Sequence, residues 1–206
     1  MELSNLKLPK TFEDYKNRLG LDDLAQWSGA VNFLFVEDRV VLIKRSNTMP
    51  SHRGQIAFFG GHKNPDETEP LETAKRELAE ESEINLNKIE YFGLHEPVKT
   101  SRARMIIPAL CRYEGTLEEF KVEVRSNGEW DNLVFVKLES LGEKSLWTKG
   151  KANSLAGAYE VFFFPLLEEF SHYWQQNDNA PYTLWGASAK MILNFFKNPN
   201  LDDKFL

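Results

Sequence analysis

The chain has a single cysteine, Cys111, so no disulfide can close within it. A lone thiol with apolar neighbours reads as a small core residue, and a reducing compartment fits. Long hydrophobic runs are also missing. The stretch Val161–Leu167 is far shorter than a bilayer requires and is interrupted by Pro165. Met1–Gly20 is charged throughout, without the apolar segment of a secretory leader, and Lys204-Phe205-Leu206 does not match a peroxisomal address. The expectation is a cytoplasmic protein that does not engage a membrane. Basic residues are outnumbered, 25 Lys and Arg against 31 Asp and Glu, for a net charge of −6. That balance argues against a protein that coats duplex nucleic acid. It leaves room for a small anionic substrate, because a bound metal reverses the field locally. No internal repeat, low-complexity tract or Gly/Ser linker divides the chain.

What is present is enough for one sizeable core: 206 residues, 42% of them hydrophobic, with 15 Phe and 5 Trp. We expect a domain over residues 29–206, preceded by a helical extension over 1–28 packed upon it. Thr11-Phe12-Glu13-Asp14 reads as a capping box opening a helix to about Leu19. Ala30–Val36 and Arg39–Arg45 flank Glu37-Asp38 as a hairpin. Gln55–Phe59 reads as a short strand running into Gly60-Gly61, and about Glu69 to Glu81 as a helix. Strands are expected at Tyr91–Val98, Met105–Arg112, Leu133–Val136 and Tyr159–Phe164, and helical pieces at Glu139–Leu141 and Trp185–Phe196. Strands without regular βαβ alternation, with helices at the middle and end, predict an α/β fold in which a mixed sheet lies between helices.

The segment Asp66–Glu83 stands apart. It holds eight acidic residues against Lys75 and Arg76, a local balance of −6. Glu77, Glu80 and Glu81 fall at i, i+3 and i+4, which puts three carboxylates on one helical face. Like charges so placed destabilise a helix by about 0.2–0.5 kcal/mol per exposed pair. Leu71, Ala74 and Leu78 form an apolar stripe with Glu81 at its edge, while Glu77 and Glu80 step away toward Arg76. A carboxylate cluster graded from core to solvent suits a hard divalent cation such as Mg²⁺. A solvated acidic face is the plainer alternative. Gly60-Gly61, between a strand and this helix, allows positive φ and close backbone approach to a ligand.

Gly60-Gly61-His62-Lys63-Asn64-Pro65-Asp66-Glu67 followed by Arg76-Glu77-Leu78-Ala79-Glu80-Glu81-Ser82-Glu83-Ile84 closely resembles the Nudix box, G-x5-E-x7-R-E-U-x-E-E-x-G-U. The interval from Gly61 to Arg76 is one residue longer, as in the coenzyme A pyrophosphatase branch. Leu42-Ile43-Lys44-Arg45-Ser46 through Gly54 to Phe58-Phe59-Gly60-Gly61 resembles that branch's upstream motif, L-L-T-x-R-S-x3-R-x3-G-x3-F-P-G-G, and Trp185-Gly186-Ala187-Ser188-Ala189 the start of its last helix. The likeness covers roughly residues 30–195.

It implies an α/β/α sandwich and a hydrolase that cuts a pyrophosphate bond with Mg²⁺ or Mn²⁺. Glu77 and Glu81 would be the main metal ligands, with Glu80 binding metal or activating water. Arg76 would orient the glutamates, the carbonyl of Gly60 or Gly61 could complete coordination, and Glu67 occupies an acidic position of the branch's loop. The implied substrate is a nucleoside diphosphate linked to another moiety: coenzyme A, yielding 3′,5′-ADP and 4′-phosphopantetheine, or alternatively a nucleotide sugar, dinucleoside polyphosphate or NADH. Four residues depart from the pattern: Glu83 for the final glycine, Phe59 for proline, Asn64 for aspartate, and Pro50 for the second arginine.

Arg45, His52 and Arg53 are candidates for phosphate contacts. His62 and His95 read as surface or near-site residues, Tyr159-Glu160 as a strand edge, and Phe162-Phe163-Phe164 as core or interface. A non-catalytic nucleotide sensor and an isomerase on the same fold are the rivals; the intact glutamates disfavour the first and the upstream motif the second. The assembly is expected to be a monomer or homodimer.

Overall fold

The computed structural model describes residues 8–19, 27–100, 104–154, 157–167, 171–173 and 182–197. In chain order the helices are α1 (Phe12–Leu19), α2 (Pro70–Ser82), α3 (Leu117–Glu123), α4 (Leu138–Gly142) and α5 (Gly186–Phe196). The strands are β1 (Gly29–Val36), β2 (Arg39–Arg45), β3 (Ile56–Ala57), β4 (Phe59–His62), β5 (Ile89–Leu94), β6 (Val98–Lys99), β7 (Met105–Tyr113), β8 (Trp130–Lys137), β9 (Thr148–Ser154), β10 (Gly157–Leu166), β11 (Ser171–Tyr173) and β12 (Tyr182–Leu184). A nine-stranded sheet runs β11-β8-β2-β1-β7-β5, with β3 on β2, β4 on β1 and β6 on β7; β12-β10-β9 form a second, three-stranded sheet. The β1–β7 pair is parallel and the other pairings are antiparallel, so the large sheet is mixed.

β1 is buried at nearly every position, as expected of a strand covered on both faces. Leu34, Val36, Val41, Ile43 and Phe59 pack with Leu78 of α2 and Phe120 of α3. Phe33, Phe35, Leu42 and Phe58 pack against Ile192 and Phe195 of α5. The expected α/β/α sandwich is present. Among the described residues no helix is long and apolar enough to cross a membrane.

α2 begins with Pro70 in its first turn, where a missing N–H costs nothing. The Glu72 carboxylate accepts the N–H groups of Thr68 and Glu69. Glu69 turns outward and accepts the Phe12 N–H at the start of α1, 2.6 Å away. The Asp14 N–H is taken by Thr11 Oγ1, the cap expected for α1. α1 rests on the sheet through Tyr15, 1% exposed, whose hydroxyl donates to the His95 carbonyl.

Two expected strands are each broken in two. The Gln55–Phe59 segment becomes β3 and β4 because the chain leaves β2 and joins β1 at Phe58. Tyr91–Val98 becomes β5 and β6, separated at Pro97, which cannot donate to a ladder. α3 is an addition to the expected elements, although its capping box is legible: Thr116 Oγ1 accepts from the Glu119 N–H and Glu119 returns the bond to Thr116.

Candidate metal and phosphate site

β1 and β2 pair only beside their hairpin, at Phe35↔Val40 and Val36↔Arg39. Beyond that they part, and β3–β4 fills the fork, bringing Gly60 and Gly61 opposite Val31 and Ala30. The glycines serve different ends. At Gly60, φ is +146° and a Cβ would lie 2.4 Å from the Ala30 carbonyl and 2.5 Å from Val31 Cα. At Gly61 a Cβ would lie 2.4 Å from Glu77 Oε1, so the missing side chain leaves room for a carboxylate.

α2 lies across this fork. Buried Asn32 donates to the Ala74 carbonyl at 2.8 Å and accepts from the Tyr91 hydroxyl, tying helix to sheet. At the helix's far end the Trp130 indole N–H donates to the Glu81 carbonyl at 2.7 Å, while its ring meets Phe59 edge-on. Just past the helix, Glu83 occupies the left-handed region at φ 55°. The departure from the glycine of the box is thus absorbed as backbone strain at the helix end.

The three box glutamates show the gradient that helical spacing predicts. Glu81 is 1% exposed, the Glu77 side chain 15% and that of Glu80 56%. Glu81 accepts the Gly60 N–H at 2.8 Å. Burial pushes its carboxyl up to about 8; the Gly60 bond opposes this, the charges of Glu77 and Glu129 add to it, and Arg45 again opposes. Burial likewise raises Glu77, against the pull of Arg76.

Arg76 works as a clamp. Its Nε donates to Glu67 at 2.7 Å, Nη1 lies 2.9 Å from both Glu77 and Glu80, and Nη2 donates to the His62 carbonyl at 2.9 Å. The arginine set between Glu77 and Glu80 opposes the repulsion expected among the glutamates. Burial works to raise Glu67, but hydrogen bonds from Arg76, Thr73 and the Asn64 N–H hold it below its ordinary range.

Glu129 is a site residue that sequence reasoning missed. It sits in the turn before β8, near enough for its charge to act on both Glu77 and Glu81. Its carbonyl accepts the Ser46 N–H, and Arg45 pairs with Trp130 across β2–β8, so Glu129 and Arg45 share one end of the sheet. An acidic residue directly before an aromatic strand start, Gly128-Glu129-Trp130, is its only signal.

Of the remaining candidates, Arg45 lies close enough to Glu81 for its charge to act there, and its buried Nε lacks a hydrogen-bond partner. Arg53 is exposed and folds back on its own loop, Nε donating to the Met49 carbonyl at 2.6 Å. His52 is likewise exposed and bonds Gln55. Glu160 is exposed and pairs with Lys149; the side chain of Tyr159 lies outside the described residues. Phe164 is fully buried, in keeping with a core role. Cys111 is buried, as expected. The surface or near-site placement of His95 is corrected. It is 2% exposed, because α1 and α5 close over it, with Phe195 5.9 Å away. Burial, followed by the Arg18 charge, lowers it to about 4, so it is neutral near pH 7.

Among the described residues no three His, Cys, Asp or Glu side chains converge tightly enough to cage an ion. The donors nonetheless fit Mg²⁺ or Mn²⁺. They are all carboxylate oxygens, one buried and carrying a single backbone hydrogen bond, and Mg²⁺ takes few protein carboxylates and completes its shell with water and phosphate.

The NUDIX domain family matches residues 26–157. Nudix hydrolase 3 of Caenorhabditis elegans is 28% identical over 157 residues, 75% of this chain and 64% of its own, so the chain spans less than two thirds of that relative. A mouse mitochondrial coenzyme A diphosphatase is 31% identical over 167 residues, 77% of this chain and 72% of its own. Among solved structures, an Ap4A hydrolase complex from C. elegans superposes with a TM-score of 0.43 at 18% identity, over 54% of this chain and 80% of that one. With the family matched over more than half of its length, and with the box glutamates gathered beside the glycine pair, the chain belongs to the Nudix family.

Proposed function

We propose that the protein is a metal-dependent pyrophosphohydrolase acting on a nucleoside diphosphate linked to another moiety, with coenzyme A or a derivative as substrate. The observation that carries this reading is the buried Glu81 carboxylate beside Glu77, facing the Gly60-Gly61 backbone. A hard cation is a strong reason to keep an acid so far from water. The 31% identity to a coenzyme A diphosphatase supports the substrate.

In this reading Glu77 and Glu81 hold Mg²⁺ or Mn²⁺, with exposed Glu80 joining them. The cation, when bound, polarises phosphoryl oxygens and favours ionisation of water. Arg76 does not touch substrate; it fixes the rotamers of Glu77 and Glu80 and is a positioning residue. Arg45, whose buried Nε–H has no partner, offers its guanidinium to a phosphate oxygen. Glu129, close to the box glutamates but outside the Arg76 clamp, accepts the proton of the attacking water. The water oxygen bonds to one phosphorus as the bridging P–O bond breaks, and the released phosphate keeps the bridging oxygen.

A product assay with Mg²⁺ over coenzyme A, dephospho-coenzyme A, a nucleotide sugar, a dinucleoside polyphosphate and NADH tests the proposal. Release of 3′,5′-ADP and 4′-phosphopantetheine from coenzyme A is the expected result. Efficient cleavage of another member alone would move the substrate and keep the chemistry. Binding without cleavage across the panel would return the chain to the nucleotide-sensor reading.

A further inference from the structure

Among the described residues, two arginines contact His62 at the end of β4, and they are in opposite circumstances. Arg76 is surrounded by Glu67, Glu77 and Glu80 and has no charge to spare. Arg104, just before β7, has no carboxylate partner among the described residues; its Nη1 lies 3.0 Å from His62 Nε2.

Its position is fixed by the fold. Gly29 of β1 is flanked by Ile106 of β7 on one side and His62 of β4 on the other, so the ends of three strands meet there. A Cβ on Gly29 would lie 2.2 Å from the Gly61 carbonyl, so no side chain fits between the strands, and Arg104 reaches across to His62. Its backbone is pinned to Thr100, by Thr100 N–H to the Arg104 carbonyl at 2.8 Å and Arg104 N–H to Thr100 Oγ1 at 3.2 Å. The His62 carbonyl, in turn, accepts from Arg76. A preset guanidinium therefore stands one residue beyond the clamp that holds the catalytic carboxylates.

In a chain of net charge −6, an exposed guanidinium left free of carboxylates beside an acidic site is fitted to an anion. With one N–H on His62, Arg104 keeps further donors in its planar fork, the geometry that takes phosphate through two bonds. We propose that Arg104, held by His62, is the subsite for a phosphomonoester that the substrate carries apart from its scissile diphosphate. The proposal rests on the pyrophosphohydrolase reading. It supplies a cation for a second phosphate where Pro50 has none and Arg53 is folded onto its own loop.

The test is calorimetric titration of the whole protein with adenosine 3′,5′-bisphosphate and with adenosine 5′-monophosphate. A charge-assisted contact predicts that the wild type prefers the bisphosphate by about 10- to 100-fold. Arg104→Ala should erase most of that preference, Arg104→Lys should restore part of it, and His62→Ala, which frees the arginine, should weaken it. Removing exposed Lys99 on the neighbouring β6 is the control for general charge. A wild type without preference, an Arg104→Ala protein that keeps it, or a Lys99→Ala protein that loses as much would each overturn the subsite. The hydrolase reading is judged separately by turnover of the substrate panel, so failure of one is distinguishable from failure of the other.

Discussion

The two faces of the large sheet are equally buried and differently made. On the α5 side the rings of Phe33, Phe35, Phe58 and Phe195 meet at centroid distances of 4.9–5.6 Å. On the α2 side Asn32, Trp130 and Glu81 stand among the apolar residues, each bonded to a specific backbone group. Rings on the first face gain stability simply by leaving water. A carboxylate on the second loses hydration that one backbone N–H does not replace. The first face is held by its rings; the second, itself largely apolar, also keeps an acid away from water.

The largest effects should separate these roles. Glu77→Gln and Glu81→Gln should each lower turnover at least ~10³-fold, about 4 kcal/mol in the barrier, with the fold retained. Near-normal rates at limiting Mg²⁺ would sink the metal assignment. Phe195→Ala should instead cost roughly 3–5 kcal/mol of stability in denaturant melts, with turnover per folded molecule retained. If the two kinds of substitution give the same pattern, the division between the faces is false.

The metal-free protein should also answer to pH. Glu81 titrates near 8 when folded, against an ordinary value of 4.5, so the folded chain holds a proton that the unfolded chain releases. Its contribution is fully present below about pH 4.5 and lost as pH rises through 8, with a slope of at most roughly 1.4 kcal/mol per pH unit between. Glu81→Gln should flatten this part of the melting profile. Saturating Mg²⁺, which favours the ionised form, should stabilise the fold by about 2.7 kcal/mol at a hundred times Kd, and so raise the melting temperature. A profile indifferent to both would show that Glu81 neither titrates nor binds there. The smallest effect belongs to Glu83→Gly, which should stabilise by about 1 kcal/mol by removing left-handed strain. Activity should change little, and a loss of stability would contradict the strain.

How much of this is legible in the sequence follows from distance along the chain. The carboxylate gradient on α2 is a matter of helical period: the stripe of Leu71, Ala74 and Leu78 sets Glu81 at the core edge and Glu77 and Glu80 away from it. The glycine pair and the β1–β2 hairpin are equally local. Glu129, Asn32 and Trp130 escape such a reading because each acts on α2 from another strand or the turn beside it, and no periodicity links them to it. Arg53 marks another limit. The right residue type in the right loop is legible, but not that its guanidinium satisfies the carbonyl of Met49. Arg104 gives no sequence signal because the proposed role rests on its having no carboxylate partner among the described residues.

The parallel β1–β7 pairing sets when the site can form. Gly29–Phe35 must find Ile106–Arg112, with β2 to β6 intervening, before β1 is flanked on both sides. Such long-range closure is slow compared with helix formation. A chain emerging from the ribosome completes α2 well before β7 and β8 exist, and a 13-residue helix is marginal by itself. Until Trp130 arrives, the Glu81 carbonyl lacks its indole donor, and the C-terminal end of the acidic helix is held by its contacts with β1, β2 and β4. In a refolding experiment, metal affinity should therefore return with the slow closure of the sheet, after most of the helical signal has already been regained.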